Sequence, residues 1–271
     1  MIPTPATITA RLSGMDFATE IAALQDLLAG ADRAVVLTGL GFGRENDLEI
    51  NAGQSDWADH ASLETLLVDP ARFWAYYYAA ATEISAREPS PAHIALARLQ
   101  RAGVIATIIA QSADHLHAKA GATDVIEMHG NVLTAKCERC GERYGLPEVG
   151  AFLAAADDGV PRCTAPDCGY PLRPSGTLWG EPLADAGVTR AWELAASADA
   201  FISIDSALRT IPLSLLPSVP LTRGVPLAMI GQTATQYDRY ARVVIRSAGT
   251  PIIEALAERM LGDHAGASAP A

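Results

Sequence analysis

A short apolar run closes on a glycine-rich turn in the stretch Ala34-Val35-Val36-Leu37-Thr38-Gly39-Leu40-Gly41-Phe42-Gly43. A continuous apolar run that ends at glycine is typical of a strand buried on both faces of a parallel sheet. The Gly-x-Gly turn at Gly39 and Gly41 lets the backbone approach a pyrophosphate, and a following helix would offer its N-terminal N–H groups. This turn alone is a weak signal, because a glycine-rich turn that binds nothing has the same sequence.

Runs of the same kind recur along the chain, and helical patterns lie between them. The strand-like runs are 104–110, 200–205, 226–230 and 242–246, and the helical patterns are 16–29, 70–86, 91–102, 188–198 and 251–261. Strands that alternate with helices indicate a parallel sheet covered on both faces, so we predict an α/β, Rossmann-like fold. Right-handed crossovers bring the strand ends to one edge, where open α/β sheets bind ligands.

Two segments interrupt this alternation and divide the predicted sheet domain. Residues from about 44 to 88 are rich in aromatic side chains and indicate a helical insert. Residues 131–173 contain all the cysteines and predict a small zinc-binding module. The Rossmann-like domain then comprises residues 15–130 and 174–262. The small, polar tail 263–271 is expected to be disordered.

The four cysteines form two pairs separated by 22 residues, namely Cys137-x2-Cys140 and Cys163-x4-Cys168. Two such turns can place four sulfur atoms at the corners of a tetrahedron, about 2.3 Å from one Zn²⁺. Two disulfides or four unrelated buried thiols are the alternatives, and we favour the metal because nothing in the chain suggests secretion. Four thiolates leave no open coordination position, so one structural zinc per chain is expected.

Length and charge restrict the classes of function. The chain has 271 residues, 49% of them hydrophobic, and a formal net charge of −11. This charge argues against nucleic acid, because phosphate binding needs a basic face. It suits either solubility alone or a cationic partner such as a lysine-rich protein segment. The chain has no signal-peptide pattern and no apolar run near the roughly 20 residues of a membrane span, so we expect a cytoplasmic protein.

A second stretch supports a ligand site at the sheet edge. Residues 111–117, Gln-Ser-Ala-Asp-His-Leu-His, directly follow the strand-like run 104–110. Taken in order, the motifs of the chain resemble those of the sirtuins, the NAD-dependent protein-lysine deacylases, from about residue 27 to residue 261. The stretches that carry the resemblance are Thr38-Gly39-Leu40-Gly41, Gln111 with Asp114 and Leu116-His117, Met128-His129-Gly130, the four cysteines, Leu172-Arg173-Pro174 and Trp179-Gly180-Glu181.

The resemblance implies a mechanism and a set of site residues. NAD would lie between the sheet and the smaller module, and the carbonyl oxygen of an acyl-lysine would attack C1′ of its nicotinamide ribose. By position, His129 would be the base that takes a proton from a ribose hydroxyl. The turn Trp179-Gly180-Glu181 would border the acyl-lysine tunnel. The implied cofactor-binding residues are Gly39, Leu40, Gly41, Gln111, Ser112, Asp114, Asp205, Ser206 and Gln232.

Several of these positions depart from the sirtuin pattern. The family's Gly-Ile-Pro-Asp-Phe-Arg phrase has no counterpart in residues 44–50, and Ser112 replaces an asparagine. The family's Gly-Thr-Ser turn is Asp205-Ser206-Ala207, and its Asn-Pro turn is Gly231-Gln232. The Asp205 carboxylate would either repel a phosphate, by about 1 to 4 kcal/mol at 4 Å, or accept hydrogen bonds from ribose hydroxyls.

Three interpretations follow for the function. The retention of His129, Asp114 and Gln111 favours an NAD-dependent protein-lysine deacylase, which transfers the acyl group to ADP-ribose and releases nicotinamide. The changes at Ser112 and Asp205 favour a sirtuin-shaped module that binds NAD, ADP-ribose or a partner peptide without turnover. An NAD glycohydrolase or ADP-ribosyltransferase, which shares the early steps, is the third possibility.

Overall fold

The structure is a computed structural model that describes residues 16–43 and 54–262. The tail 263–271 and the phrase at 44–50 lie outside the described residues. The strands are β1 (Ala34–Thr38), β2 (Thr107–Ala110), β3 (Val125–Glu127), β4 (Thr134–Cys137), β5 (Arg143–Gly145), β6 (Leu172–Pro174), β7 (Ala200–Ile204), β8 (Leu227–Ile230) and β9 (Val243–Ile245). The helices are α1 (Phe17–Leu28), α2 (Gln54–His60), α3 (Leu63–Val68), α4 (Pro70–Ser85), α5 (Pro91–Arg101), α6 (Leu116–Lys119), α7 (Leu146–Ala155), α8 (Asp185–Ser197), α9 (Ser218–Thr222) and α10 (Gly249–Leu261).

Six strands form one sheet in the order β3-β2-β1-β7-β8-β9, and every pair in it is parallel. The chain builds outward from β1 through β2 to β3, and then crosses to the other side of β1 to build β7, β8 and β9. The direction of construction therefore reverses between β1 and β7. In open α/β sheets this reversal leaves a crevice at the carboxyl ends of the two strands, where ligands bind.

Helices cover both faces of this sheet, as the apolar runs predicted. Alternate side chains of β1 point to opposite faces, so Val36 packs with α1, α5 and α10 whereas Val35 and Leu37 pack with α8. All five residues of β1 are buried. This two-sided burial explains why the strand reads as an unbroken apolar run and not as an alternating one.

The remaining elements form a second lobe around one shared core. Strands β5, β4 and β6 make a small antiparallel sheet, and the helical insert α2–α4 packs against it. Phe73, Trp74 and Tyr77 of α4 are buried with Tyr144 and Leu172 of the cysteine-containing segment. The helical insert and the cysteine segment are distant in sequence, yet neither has a separate core in the described structure.

Two details of the sheet differ from the sequence analysis. Of the run 104–110 only Thr107–Ala110 forms a strand, and the N–H of Val104 donates instead to the carbonyl of Leu99 in α5. Strand β3 was not predicted, since it has only three half-buried residues. None of the described helices combines the length and the apolar character needed to cross a bilayer.

Candidate active site

The ends of β1 and β7 touch at the crevice. The N–H of Gly39 donates to the carbonyl of Ile204 over 2.8 Å. A Cβ at Gly39 would lie 1.8 Å from the carbonyl oxygen of Asp205, so only glycine permits this approach. At Gly41, by contrast, a Cβ would meet no described atom within 4 Å. The turn is therefore closed against β7 at its first glycine and open to a ligand at its second.

Side chains of the same turn point in opposite directions. Leu40 is 42% exposed, whereas Phe42 is buried and stacks on the ring of His117, with centroids 5.2 Å apart. His117 is itself buried, and its Nε2 lies 2.9 Å from Thr38 Oγ1. The glycine turn is thus anchored from below by Phe42 and Thr38, while Leu40 is at the surface.

His129 lies two residues beyond β3, at the same edge of the sheet. Its Nδ1 is 2.8 Å from the carbonyl oxygen of Gln111. A carbonyl can only accept, so Nδ1 carries the proton and Nε2 is the nitrogen with a lone pair. Burial lowers the pKa of His129, although the bond to Gln111 opposes this shift. A neutral imidazole in this tautomer is equipped to take up a proton at Nε2.

Gln111 links the histidine to the crevice. It directly follows β2, and its Nε2 donates to Ser206 Oγ over 3.0 Å. Its own carbonyl oxygen holds His129. Through this one residue, the segments that follow β3, β2 and β7 are connected above the end of β1. The structure therefore brings together three residues that are far apart in the sequence.

The loop after Gln111 is held from both sides. Ser112 and Asp114 are buried, at 6% and 5% exposure. Asp114 Oδ1 accepts the N–H of Leu116 at the start of α6, over 3.1 Å. The carbonyl of Ala113 accepts the N–H of Val132, which leads into the second lobe. The loop thus joins the two lobes at the position where the sequence placed cofactor contacts.

Asp205 makes a contact that neither of the two expectations for it included. Its carboxylate oxygens lie 3.0 and 3.2 Å from the N–H of Gly249, the first residue of α10. A Cβ at Gly249 would lie 2.4 Å from Asp205 Oδ2, so glycine makes room for the carboxylate. The positive end of the helix dipole offsets part of the carboxylate charge. Asp205 itself adopts φ = +51°.

Of the remaining predicted contacts, Gln232 and Trp179 are exposed and Glu181 is not. Gln232 is exposed, one residue beyond Gly231 at the end of β8. Trp179 is 55% exposed, and its carbonyl accepts the N–H of Leu63 in the helical insert. Glu181 does not face outward, because both of its carboxylate oxygens bind the guanidinium of Arg173 at 2.7 Å.

The cysteine sulfurs form a compact cluster. All four Sγ atoms lie within 4.8 Å of one another, with Cys137 and Cys168 3.6 Å apart and Cys140 and Cys163 3.5 Å apart. A disulfide would need about 2.05 Å, so the disulfide alternative is wrong. Sulfurs at about 2.3 Å from a central Zn²⁺ are separated by about 3.8 Å in a tetrahedron. The donor set and its spacing fit one zinc ion.

Comparison with known proteins identifies the family. The family model described as "Sir2 family" matches residues 52–212. Over 243 residues the chain is 33% identical to an NAD-dependent protein deacetylase of Caldivirga maquilingensis, covering 87% of this chain and 92% of the relative. It is also 35% identical over 225 residues to NAD-dependent protein deacetylase 1 of Geobacillus kaustophilus, covering 80% and 89%. The chain belongs to the Sir2 family.

Solved Sir2 structures agree with this assignment. A Sir2 complex with a p53 peptide and NAD⁺ matches with a TM-score of 0.74 at 26% identity, covering 88% of this chain and 97% of that chain. A Sir2 structure bound to an acetylated peptide gives 0.76 at 26% identity, covering 89% and 97%. The open backbone at Gly41 leaves room for the close approach of a dinucleotide such as the NAD⁺ of the first of these complexes.

Two residues important to this Sir2-family site were not given a role from the sequence. Arg173 was noted only as part of a family phrase, and Gly249 was not singled out. The signal for Arg173 is its position between the cysteines and Glu181, since an arginine followed by a carboxylate can form an ion pair. No sequence signal marks Gly249, whose role depends on the approach of Asp205.

Proposed function

We propose that this Sir2-family chain is an NAD-dependent protein-lysine deacylase that transfers the acyl group to ADP-ribose and releases nicotinamide. The observation that carries the proposal is the tautomer of His129, which leaves Nε2 as a proton acceptor beside the crevice between β1 and β7. When bound, NAD supplies the ADP-ribose that accepts the acyl group. His129 would accept at Nε2 a proton from a ribose hydroxyl of the bound NAD, and this would make that hydroxyl nucleophilic.

The other crevice residues bind and orient the co-substrate. The open backbone at Gly41 and the exposed Leu40 lie where the pyrophosphate approaches the turn. Gln111, Ser112 and Asp114 are assigned to the nicotinamide and its ribose, and their loop is held in place by the bonds of Gln111 to Ser206, Asp114 to Leu116 and Ala113 to Val132. Preorganisation of this kind lowers the barrier without any movement at the moment of reaction.

The far side of the crevice binds the rest of the dinucleotide. We assign Ser206 and the exposed Gln232 to this end, with Gly39 as the floor between them. Asp205 belongs there as well, with its charge partly offset by α10, so repulsion of a phosphate is weaker than for a free carboxylate. Its oxygens retain lone pairs, and these can accept hydrogen bonds from ribose hydroxyls.

The acyl substrate is a lysine side chain of a protein or peptide. Support comes from the Sir2 structures bound to acetylated and p53 peptides, and from the net charge of −11, which suits a lysine-bearing segment. Trp179 and Gly180 form the rim against which this segment lies. The zinc ion is structural, because four thiolates fill its coordination sphere. Thiolates kept as metal ligands are typical of a reducing compartment, so we place the protein in the cytoplasm.

The test is the release of nicotinamide from NAD, measured with and without an acetyl-lysine peptide. We expect release only when the peptide is present, together with loss of the acetyl group from the peptide. Release without the peptide would instead support a glycohydrolase. Binding of ADP-ribose with no release under either condition would support a module that binds without turnover.

A further inference from the structure

Arg173 and Glu181 form the most enclosed ion pair among the described residues. Nη1 and Nη2 of Arg173 each donate to one carboxylate oxygen of Glu181, both over 2.7 Å. The two side chains are only 15% and 14% exposed. Arg173 belongs to β6 of the second lobe, whereas Glu181 ends the turn that carries Trp179. A bidentate pair of this kind fixes the orientation of the two side chains as well as the distance between them.

The same two side chains also hold the backbone between them. Arg173 Nε donates to the carbonyl of Pro174 over 3.1 Å. Glu181 Oε2 accepts the N–H of Leu178 over 2.8 Å, in addition to its bond with Arg173. The ion pair therefore holds the segment 174–181 at two points, through Pro174 and through Leu178.

This segment is attached to the catalytic histidine and to the helical insert. The N–H of Thr177 donates to the carbonyl of His129 over 2.8 Å, and the carbonyl of Trp179 accepts the N–H of Leu63 over 3.0 Å. Gly176 lies so close to Gly130 that a Cβ on Gly130 would be 2.9 Å from its Cα. With the backbone fixed at these points, the indole of Trp179 is still 55% exposed.

A fixed backbone that presents an exposed aromatic side chain is suited to binding a partner. The rotamer freedom of Trp179 is small, so little entropy is lost when an extended peptide covers its ring. The ring of His129 is held separately, through its own bond to Gln111. Movement of the segment should therefore disturb the peptide more than the chemical step.

We propose that Arg173 and Glu181 are positioning residues that set peptide affinity by fixing the segment 176–181, with Trp179 as its contact. This inference depends on the proposed function, because it gives Arg173 and Glu181 a positioning role on the acyl-lysine side of the same site. Glu181 thus acts through Arg173 and the backbone of Leu178, without touching the peptide.

The experiment compares Glu181→Gln with wild type in three measurements: KM for an acetyl-lysine peptide, kcat at saturating peptide, and ADP-ribose affinity by calorimetry. We expect KM for the peptide to rise about 10- to 100-fold, because small misplacements of a binding group have effects of this size. We expect kcat to change by less than about threefold and ADP-ribose affinity to be unchanged. Asp158→Asn is the matched control, since it removes the Arg162–Asp158 pair of the same lobe, which is 45% and 53% exposed.

Glu181→Asp keeps the charge but shortens the side chain, and it covers the case in which Glu181→Gln does not fold. We expect an intermediate rise in peptide KM with ADP-ribose affinity at the wild-type level. Wild-type peptide KM in a folded Glu181 variant would overturn the inference, and so would equal losses in peptide and ADP-ribose binding. If wild type itself releases no nicotinamide, the proposed function fails, and this outcome is separate from any difference among the variants.

Discussion

Two histidines in similar sequence contexts occupy opposite environments. His117 lies in the interior beneath the glycine turn, bonded to Thr38 and 4.7 Å from the ring of His93. Burial, with a smaller contribution from His93, lowers the pKa of His117 to about 3. His129 lies just beyond β3 at the edge of the sheet, partly buried, with Nδ1 bonded to the carbonyl of Gln111. Each follows an apolar residue in the sequence, and nothing local distinguishes them.

The difference shows what makes an imidazole useful for proton transfer. His117 is kept neutral by burial, and its Nε2 is engaged with a side chain, so its ring serves packing. His129 has one nitrogen fixed by the backbone and the other directed by that bond to act as acceptor. Partial burial lowers the pKa of His129 while its ring stays less buried than that of His117. This contrast can be tested by replacing each histidine in turn and by varying the pH.

The largest expected effect is on catalysis when His129 is replaced. In His129→Ala we expect kcat for peptide deacylation to fall about 10²- to 10⁴-fold, the usual contribution of a general base. The free energy of unfolding should change by about 1 kcal/mol or less, because the ring is only half-buried. Single-turnover rates and urea denaturation measure the two quantities. A His129→Ala protein with wild-type kcat would show that His129, like His117, has no role in proton transfer.

The second effect is on the free energy of unfolding at acidic pH, and it depends on the buried His117. Its pKa is about 3 in the folded chain and about 6.5 when unfolded, so the folded state resists protonation. The resulting stabilisation is fully present above pH 6.5 and is lost progressively as the pH falls toward 3, by a few kcal/mol in total. We expect the free energy of unfolding to decline more steeply from pH 6.5 to 4 in wild type than in His117→Gln.

The control for this comparison is His60→Gln, which removes a partly buried histidine of the helical insert, outside the cluster of His117 and His93. This control separates the effect of the interior ring from the loss of one histidine as such. Equal slopes for wild type and His117→Gln would show that the interior histidine is not kept neutral by the fold.

The smallest effect is on the pH dependence of the rate. His129 must be neutral to accept a proton, and burial places its folded pKa below the ordinary value of 6.5. The acidic limb of kcat/KM should therefore have its midpoint below pH 6.5, so that activity persists in mildly acidic buffer. A midpoint at or above pH 6.5 would mean that the environment of His129 does not favour its neutral form.

The sequence predicted those strands of the sheet whose burial on both faces gives a continuous run of apolar residues. Strand β1 is buried on both faces, so its residues are apolar without interruption, and the observed bounds Ala34–Thr38 match the run. Strand β3 lies at the sheet edge and is half-buried, so its three residues do not form such an apolar run. The cysteine cluster was predicted because two short turns each constrain a pair of ligands within a few residues.

Contacts between distant segments could not be predicted in the same way. The carboxylate of Asp205 binds Gly249, which is 44 residues away, and this pairing depends on how β7 and α10 meet. The shared core of the helical insert and the cysteine segment likewise joins Tyr77 with Tyr144 and Leu172. The sequence of each segment shows that its apolar residues must be buried, but it does not show which other segment they pack against.

The amino-acid sequence by itself determined the parallel sheet, the glycine turn and the four zinc ligands, because these follow from hydrophobic periodicity and from ligands close together in the chain. Only the tertiary structure decided which nitrogen of His129 accepts a proton, where the Asp205 charge goes and what Glu181 holds. Those outcomes depend on hydrogen bonds between segments whose distance and direction are set by the packing of the whole chain.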